Sequence, residues 1–464
     1  MIRNPKRGDS RFKLPFARRL GRTFCLKVSA RILKTSWACI VFFGVPLAAQ
    51  AQFSYTTING TFTITGYTGP GGSVTIPSSI NGVMVTGLGD HAFDEFLGNT
   101  GPSSVTIPDT VSNIGNYVFS ECLDLTNVSI GNGVISIGSN AFNFCPRLNT
   151  IAAGSLNLAY TSVDGILFNK NQSSLIQFPP GKSGTYSIPA SVTSIGYNAF
   201  SGCTKLTSVT MPDSVTNISD YGFQECTGLT NIILAKGIAT MGNSVFFSCT
   251  SLTNIMLPES LTRIGDIAFE ACSSLVSIKI PNGVTNIGNQ AFDICASLSQ
   301  VTIPDGVSSI GRAAFYSCTS LESVTIGASV TNIGDLAFHD CTSLKAIYFR
   351  GNTPNLGANV FEFDNAATAY YLPKTQGWGA SLGVPTVLWN PQMQVADLGF
   401  IIGNQFGFSI IGSSNIVFVV EACTDLTNPM WQPLQTNILS GGWASFSDPQ
   451  WQNYRGRFYR LRGP

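Results

Sequence analysis

The sequence predicts a repeat solenoid of parallel β-strands with about thirteen rungs, followed by a small all-β, sandwich-like domain. Phenylalanine recurs every 23 residues, at positions 200, 223, 246, 269, 292, 315, 338 and 361. Strand-like segments similar to Val-Thr-Ile-Pro recur with it, starting at 74, 105, 128, 151, 186, 209, 232, 255, 278, 301, 324, 347 and 370. Charged residues make up only 11% of the chain, beside 47 glycines and 23 prolines, a composition typical of short strands joined by turns. Units this short bury little apolar surface alone, whereas stacked units form a continuous core.

The unit around Ile278 shows how each rung is expected to fold. Ile278 points inward from a short strand while Lys279 points outward, and Pro281 ends the strand because it has no N–H to donate. Gly288 permits a turn. Phe269 closes the coil, so that successive rings stack at about 4.8 Å per rung. The predicted structural ladder consists of Phe200, Phe223, Phe246, Phe269, Phe292, Phe315, Phe338, Cys203, Cys226, Cys249, Cys272, Cys295, Cys318 and Cys341.

Cysteine follows most of the repeated phenylalanines three residues later, which raises the alternatives of disulfides, metal ligands and core packing. Equivalent positions on adjacent rungs hold Cβ atoms about 4.8 Å apart, whereas a disulfide needs about 3.8 Å. The sequence has no paired C-x-x-C spacing of the kind that zinc sites use. We therefore interpret these thiols as small core-filling groups, with occasional bridging under oxidising conditions as the alternative. No metal and no cofactor is predicted.

The repeat is predicted to span residues 73–390, with insertions near 95–104 and 155–184 where the spacing between strands lengthens. Asp164-Gly165 lies between apolar residues of the second insertion, a pattern typical of a hairpin turn. Both insertions are expected to project from the stack without breaking it.

The N-terminal region has two predicted parts. Residues 1–51 are interpreted as a signal peptide with a long basic n-region, because a short apolar run follows the basic residues and ends at Ala49-Gln50-Ala51. Residues 52–72 are predicted to form a β-hairpin that turns at Asn59-Gly60 and caps the first coil. The protein is therefore expected to be secreted or held at the cell surface, with no transmembrane segment after signal removal.

Residues 391–464 are predicted to form a small β-rich C-terminal module, with possible surface attachment as its role. Four large aromatic residues are expected to form its core, since a small domain needs them there; stacking on sugars is the alternative. These residues are Trp431, Trp443, Trp451 and Tyr454. Four arginines near the end predict a positive patch: Arg455, Arg457, Arg460 and Arg462.

Charge and chemistry exclude several function classes. After residue 36 the chain has 15 basic against 24 acidic side chains, a net charge of −9, so no nucleic-acid partner is expected. The chain has two histidines. Other repeats carry unrelated residues at the position of His339, which predicts that it is exposed, and His91 precedes the first Ala-Phe pair. No catalytic residue is predicted.

The repeated pattern L-x-x-V-x-I-P-x-x-V-T-x-I-G-x-x-A-F-x-x-C, which extends over roughly residues 70 to 390, resembles the BspA-like leucine-rich repeats of bacterial surface proteins. The resemblance implies a right-handed leucine-rich-repeat stack whose parallel strands line a concave face. It also implies a secreted or surface-attached protein from a group that often acts as adhesins toward host or matrix proteins.

The surface beside the repeated Ala-Phe pairs is the predicted ligand-contact strip, because the repeats differ most there and combine acidic with aromatic side chains. The strip consists of Glu121, Phe144, Glu225, Phe247, Glu270, Asp293, Tyr316, His339 and Asp340. Neutral variation at exposed sites is the alternative interpretation. The favoured function is non-enzymatic extracellular recognition or adhesion toward a protein or polysaccharide ligand. The alternative is a self-assembling structural component of the cell envelope.

Overall fold

The structure is a computed structural model that describes residues 52–94, 101–379, 382–394, 400–402 and 405–463. The predicted signal peptide, residues 1–51, lies outside the described residues, as does most of the first insertion, 95–104. The described part confirms the predicted fold class: a parallel-strand solenoid of about thirteen turns, followed by small antiparallel sheets. Almost all of its regular structure is strand, beside a short 3-10 helix at Trp451–Asn453.

The longer strand of each rung lies on one side of the solenoid, here called the long face. Neighbouring strands on this face pair in parallel with a 23-residue offset, for example Ile255 opposite Ile278. A strand at Thr386–Leu388 pairs with Thr368–Tyr371 and adds one strand to the stack after the last predicted one, which starts at 370. The strands of the long face are Gly72–Thr75, Pro102–Thr106, Asn127–Ile130, Thr150–Ala153, Gly184–Ser187, Leu206–Thr210, Asn231–Ile233, Asn254–Met256, Ser277–Lys279, Gln300–Thr302, Ser323–Ile326, Ala346–Phe349, Thr368–Tyr371 and Thr386–Leu388.

A second side, the short face, carries the return strand of each rung. Its first strand belongs to a hairpin, in which Phe53–Ile58 pairs antiparallel with Thr61–Tyr67. Asn59 and Gly60 turn this hairpin with φ of 51° and 77°, as a two-residue hairpin loop requires. The strands that follow are Val83–Leu88 (with Ser79–Ile80 beside it), Asn113–Ile114, Ser136–Ile137, Ser174–Gln177, Ser194–Ile195, Asn217–Ile218, Thr240–Met241, Arg263–Ile264, Asn286–Ile287, Ser309–Ile310, Asn332–Ile333 and Asn355–Leu356.

A corner of tight turns joins the short face of each rung to the next long strand, and it contains the repeated phenylalanine. In the rung of Phe269 the backbone is left-handed two residues before and two residues after the ring, at Ile267 (φ 61°) and Ala271 (φ 59°). Such φ values are unfavourable for residues other than glycine. Here they aim three N–H groups at the next rung, so that Ile267, Phe269 and Ala271 each donate at 2.8 Å to the carbonyl oxygens of Asn289, Ala291 and Asp293.

The phenylalanines of the corners form a continuous spine inside the solenoid. From Phe178 to Phe361 neighbouring rings stack with centroids between 4.6 and 5.7 Å apart. All fourteen predicted ladder residues have no exposed side-chain surface. The recurring Ala-Phe pair thus becomes a column of buried rings, because each rung lies on the one before it.

The ladder cysteines are free thiols, and each donates a hydrogen bond to the equivalent phenylalanine carbonyl of the preceding rung. The Sγ of Cys272 donates to the carbonyl oxygen of Phe246 in the preceding rung at 3.1 Å, and the other ladder thiols repeat this contact. Burial raises the pKa of the Cys272 thiol to about 12. Cysteine therefore supplies both a small apolar volume and a weak donor to a buried carbonyl.

The second insertion does not project from the stack, and this prediction is wrong. Its hairpin, Tyr160–Val163 with Ile166–Asn169, turns at Asp164-Gly165 as predicted, but three successive residues of its second strand are buried. Leu167 packs into the core of the earlier rungs, while Ile166 and Phe168 pack into the core of the later rungs. Successive side chains of a strand point to opposite sides, so this strand divides the solenoid interior into two cores.

The rung that holds the insertion has its own spine ring, Phe178, which the 23-residue period did not reveal. The Phe178 ring lies 5.0 Å from that of Phe200. Its N–H donates to the carbonyl oxygen of Ala199 at 2.7 Å, as the other spine residues do, and its own carbonyl lies 3.8 Å from the Sγ of Cys203. The insertion thus lengthens one rung before its spine position.

The C-terminal module consists of two antiparallel sheets around one small core. One sheet contains Gln392–Met393, Phe400–Ile402, Gln405–Ile411 and Trp443–Asp448, and the other contains Val417–Cys423, Gln432–Ile438 and Phe458–Arg462. Phe408, Phe418 and Phe446 fill the core. The prediction that the large aromatic residues fill it is wrong: Trp443 is 53% and Tyr454 39% exposed, and Trp431 and Trp451 are half-buried. The narrower phenylalanines on inward-facing positions suffice for a core this small.

The predicted positive patch is largely neutralised. Arg457 pairs with buried Asp448 at 2.6 Å, and both Arg460 and Arg462 bind buried Glu421 at 2.7 Å. These arginines supply the opposite charge to carboxylates that would otherwise be buried without one.

Candidate functional site

The predicted ligand-contact strip occupies the two positions that directly follow the spine phenylalanine. Phe247, Glu270, Asp293, Tyr316 and His339 occupy the first position on consecutive rungs, so the structure brings them together in one column. Asn143 and Ser201 occupy this position on either side of the insertion, and their side chains hydrogen-bond at 3.2 Å. The second position, which has a left-handed backbone, carries Glu121, Phe144, Glu225 and Asp340.

The strip is less exposed than its sequence variety predicted. Glu121 is exposed, the other strip residues are half-buried, and Asp293 is buried. His339 retains only 12% of its side-chain surface, so the prediction that it is exposed is wrong. Rungs that follow each other at strand spacing leave each side chain of the column in contact with its neighbours, and these neighbours cover it.

The centre of the column is a pair of carboxyl groups. Burial, together with the neighbouring Asp293, raises the pKa of Glu270 to about 7. Burial likewise raises the pKa of Asp293 to about 6, although the Gln290 amide donates to it at 3.1 Å. Below these values the pair offers neutral hydroxyl donors, and above them it offers negative charge to a ligand.

The later end of the column is aromatic. The His339 ring stacks on Tyr316 with centroids 5.0 Å apart and meets the edge of Phe363 at the same distance. Its Nε2 lies 3.5 Å from a carboxylate oxygen of Glu362, and Ser317 donates to Asp340 at 3.0 Å. These contacts hold the side chains in place and make a mixed apolar and acidic surface.

The structure also shows where the other histidine and the groups that could bind a metal ion lie. His91 forms a hydrogen bond with Asp94 at 2.9 Å and stacks on Tyr117. It precedes the spine ring Phe93, in an early rung of the solenoid, whereas His339 lies in one of the last rungs. Within residues 52–94, 101–379, 382–394, 400–402 and 405–463, no group of three or more His, Cys, Asp or Glu side chains is placed to share a metal ion. None of the helices described there has the length and apolar character needed to span a membrane.

Sequence reasoning missed a column of Asp and Asn side chains that joins the rungs. Asp266 Oδ1 accepts a hydrogen bond from the N–H of Asn289 at 2.8 Å, and Asn289 Oδ1 accepts one from the N–H of Arg312 at 2.9 Å. The signal was present as an Asp or Asn after the recurring Ile-Gly. A polar cleft between the long face and the strand Phe458–Arg462 was also missed, because no local pattern relates those distant segments.

Comparison with known proteins agrees with this architecture. The BspA type leucine rich repeat region model matches residues 86–183, 177–298 and 262–376, which together exceed half of the chain. No curated protein sequence matches the chain.

Solved structures of bacterial repeat proteins are also similar. A leucine-rich repeat protein from Bacteroides ovatus is 24% identical, with 69% of this chain and 83% of that one covered and a TM-score of 0.45. A leucine rich cell surface protein from Faecalibacterium prausnitzii is 24% identical, covering 61% and 93%, with a TM-score of 0.32. The pneumococcal vaccine antigen PcpA is 18% identical, covering 74% and 98%, with a TM-score of 0.38. By the match of its repeats, the chain belongs to the family of BspA-type leucine-rich-repeat proteins.

Proposed function

We propose that this protein is an exported, non-enzymatic recognition or adhesion protein whose strip contacts an extracellular protein or polysaccharide. Proteins with BspA-type repeats are typically secreted or held at the bacterial surface, and the basic and apolar segments of residues 1–51 support export. The observation that carries the proposal is the column from Phe247 to His339, where acidic and aromatic side chains follow each other on consecutive rungs. Such a mixture is typical of protein-binding surfaces.

Binding by surface plasmon resonance tests the proposal, with collagen, fibronectin and mucin immobilised as probes. The strip variant combines Glu225→Ala, Glu270→Ala and Tyr316→Ala. Its matched control combines Thr240→Ala, Arg263→Ala and Asn332→Ala, three exposed positions on the short face. We expect the control to bind as wild type does and the strip variant to bind about tenfold more weakly, a difference of about 1.4 kcal/mol. Failure of wild type to bind any probe, or unchanged binding by the strip variant, contradicts the proposal.

The second candidate function is self-assembly into a structural component of the cell envelope. One observation favours it: the strand Gly72–Thr75 is the edge of its sheet, and an edge strand is a template for pairing with another copy. At the other end, Tyr370, Val387 and Trp389 pack against the core of the C-terminal module, which covers that end of the long face and disfavours addition there. Light scattering distinguishes the two candidates, because polymers that grow with concentration support assembly and a constant monomer mass supports recognition.

A further inference from the structure

The final strand of the C-terminal module, Phe458–Arg462, lies over the long face and forms a cleft with it. The cleft has two connected parts, of about 710 Å³ and about 270 Å³. Thr302, Arg350 and Arg462 line both parts, so the space is continuous along several rungs. Its size falls within or near the range of ligand sites, roughly 300–1,000 Å³, and such sites often lie where two structural units meet.

The larger part of the cleft is polar and carries more positive than negative side chains. Lys279, Arg350 and Arg462 line it together with a single acid, Asp305. These are three of the 15 basic side chains in a body that carries 24 acidic ones after residue 36. The cleft therefore concentrates cations in a protein that is otherwise acidic.

Each cationic group of the cleft has an acidic partner and remains available to a ligand. Lys279 pairs with Glu259 at 2.5 Å, and both side chains are largely exposed, so this pair is weak and can exchange for a ligand. Arg462 is fixed by Glu421 at 2.7 Å, but Glu421 is shared with Arg460 and so compensates only one of these two charges. The nearest acid to Arg350 is Asp305, whose oxygens both lie 3.5 Å away, at the limit for a hydrogen bond. Both partners of this pair are exposed, so the Arg350 guanidinium can exchange the Asp305 carboxylate for a ligand at little cost in free energy.

The smaller part of the cleft is aromatic. Tyr348 and Tyr370 stack with centroids 5.2 Å apart, and Trp389 completes this wall. Trp389 is oriented by the hydrogen bond from its Nε1 to the carbonyl oxygen of Val417 at 2.9 Å. The amides of Gln300 and Asn282 line the larger part of the cleft. Aromatic rings in one part and polar groups in the other suit a molecule with apolar ring faces and many hydroxyl groups.

We propose that this cleft binds a chain of an acidic polysaccharide, with sugar carboxylates on Arg350, Lys279 and Arg462 and a sugar ring against the aromatic wall. A guanidinium binds carboxylate in a bidentate geometry, and the outward hydroxyls of the long face supply further hydrogen bonds along the chain. The C-terminal module then has a direct role, since its last strand forms one wall of the site. This site is separate from the strip.

Isothermal titration calorimetry of the full mature chain with a hyaluronan decasaccharide tests the proposal, with a neutral dextran fragment of equal length as comparator. Hyaluronan carries a carboxylate on every second sugar. The cleft variant is Lys279→Gln with Arg350→Gln. Its matched control is Arg147→Gln with Lys236→Gln, which removes two equal charges from exposed ion pairs on other rungs. Arg462→Gln provides an independent variant of the opposite wall.

We expect wild type and the matched control to bind the acidic fragment alike, and both cleft variants to bind it at least about tenfold more weakly. Thermal melting verifies that each variant is folded. No binding by wild type, equal affinity for dextran, or an equal loss in the matched control overturns the proposal. Loss of hyaluronan binding in the strip variant with full binding in the cleft variants would also overturn it, while supporting the function proposed for the strip.

Discussion

Asp364 interrupts the column of thiols at the last rung. It lies three residues after Phe361, the position that cysteine holds in the preceding rungs, and it is 3% exposed. Burial raises its pKa to about 7. A protonated carboxyl can donate a hydrogen bond as the thiols do, whereas a carboxylate cannot. The side chain is therefore suited to its position in the neutral form.

Stability is expected to fall as the pH rises toward 8. The folded state holds the proton of Asp364 more tightly than the unfolded chain does, so its contribution is full below the ordinary pKa near 4 and is lost as pH rises through about 7. Glu270 and Asp293 act in the same direction. Thermal melting at pH 5 and pH 8 measures the difference.

Asp364→Asn and Asp364→Cys should both reduce the difference in melting temperature between the two pH values, because neither side chain can become a carboxylate. A wild-type chain that is equally stable at pH 5 and pH 8 would contradict this interpretation.

The spine phenylalanines carry a large part of the stability of each rung. Phe269→Ala should lower the free energy of unfolding by about 3–5 kcal/mol, because the ring is fully buried. Phe363→Ala is the matched control, since that ring lies on the same corner but is 55% exposed. Urea unfolding measures both. Equal losses would show that burial in the spine is not the source of the effect.

For single residues, the sequence predicts the burial of positions that recur in the repeats and does not predict the burial of positions that vary. Phe269 and Cys272 could be placed in the core because their period matches the stacking of rungs. The burial of His339 could not be predicted, since it depends on Tyr316 and Phe363 in neighbouring rungs. Residue variety at a position suggests that the position is exposed. Here, however, each rung uses a different side chain to fill the space between itself and the neighbouring rung.

Among the elements, the strand Ile166–Asn169 has the largest effect on the interior. It separates two hydrophobic cores and contributes side chains to both. Strand pairing along the long face is interrupted between Thr150–Ala153 and Gly184–Ser187, and again between Asn231–Ile233 and Asn254–Met256. The strand Ile166–Asn169 lies at the first interruption and contributes to the connection between the two parts there. The two parts of the solenoid therefore depend on it for cooperative unfolding.

Leu167→Ala and Phe168→Ala should each destabilise the protein by about 2–5 kcal/mol, because both side chains are fully buried. Val163→Ala, in the paired strand of the same hairpin and 38% exposed, should cost less than about 1 kcal/mol. Differential scanning calorimetry should also show whether the variants unfold in two transitions, one for each core. Unchanged melting of all three variants would mean that the hairpin is outside the core.

The hairpin turn could be predicted from Asp164-Gly165, but the burial of the hairpin inside the solenoid could not. Three consecutive apolar residues after the turn indicate a strand buried on both sides, which conflicts with the expectation that the insertion projects. Phe178 lies outside the 23-residue period and is therefore not predicted either. A break in period shows where residues are added and does not show whether they face solvent.

On the scale of the whole molecule, Trp389 connects the solenoid to the C-terminal module. Its ring packs against the module core, and its Nε1 binds the Val417 carbonyl. Trp389→Ala should therefore lower the free energy of unfolding by about 2 kcal/mol, through lost apolar contact and an unpaired carbonyl. Trp443→Ala, at an exposed tryptophan of the same module, should have little effect. Chemical unfolding followed by circular dichroism compares them, and equal losses would contradict a special role for Trp389.

The existence of the C-terminal module could be predicted from its loss of period and its alternating apolar residues. Its placement could not, because Arg462 meets the long face only through the folded chain. The cleft, which depends on that placement, was therefore invisible in the sequence, whereas the strip could be located by its distance from each phenylalanine.

The backbone hydrogen bonds that the spine residue and the residues two positions before and after it donate to the next rung all have the same direction. From rung to rung the N–H groups point toward later residues and the carbonyl groups toward earlier ones, for example from Leu336, Phe338 and Asp340 to Ala358, Val360 and Glu362. Aligned peptide dipoles add, as they do in a helix, so this edge of the protein is electrically polar along its length. Its last rung is the positive end and carries the acid Glu362, while its first rung is the negative end and carries His91 beside Asp94.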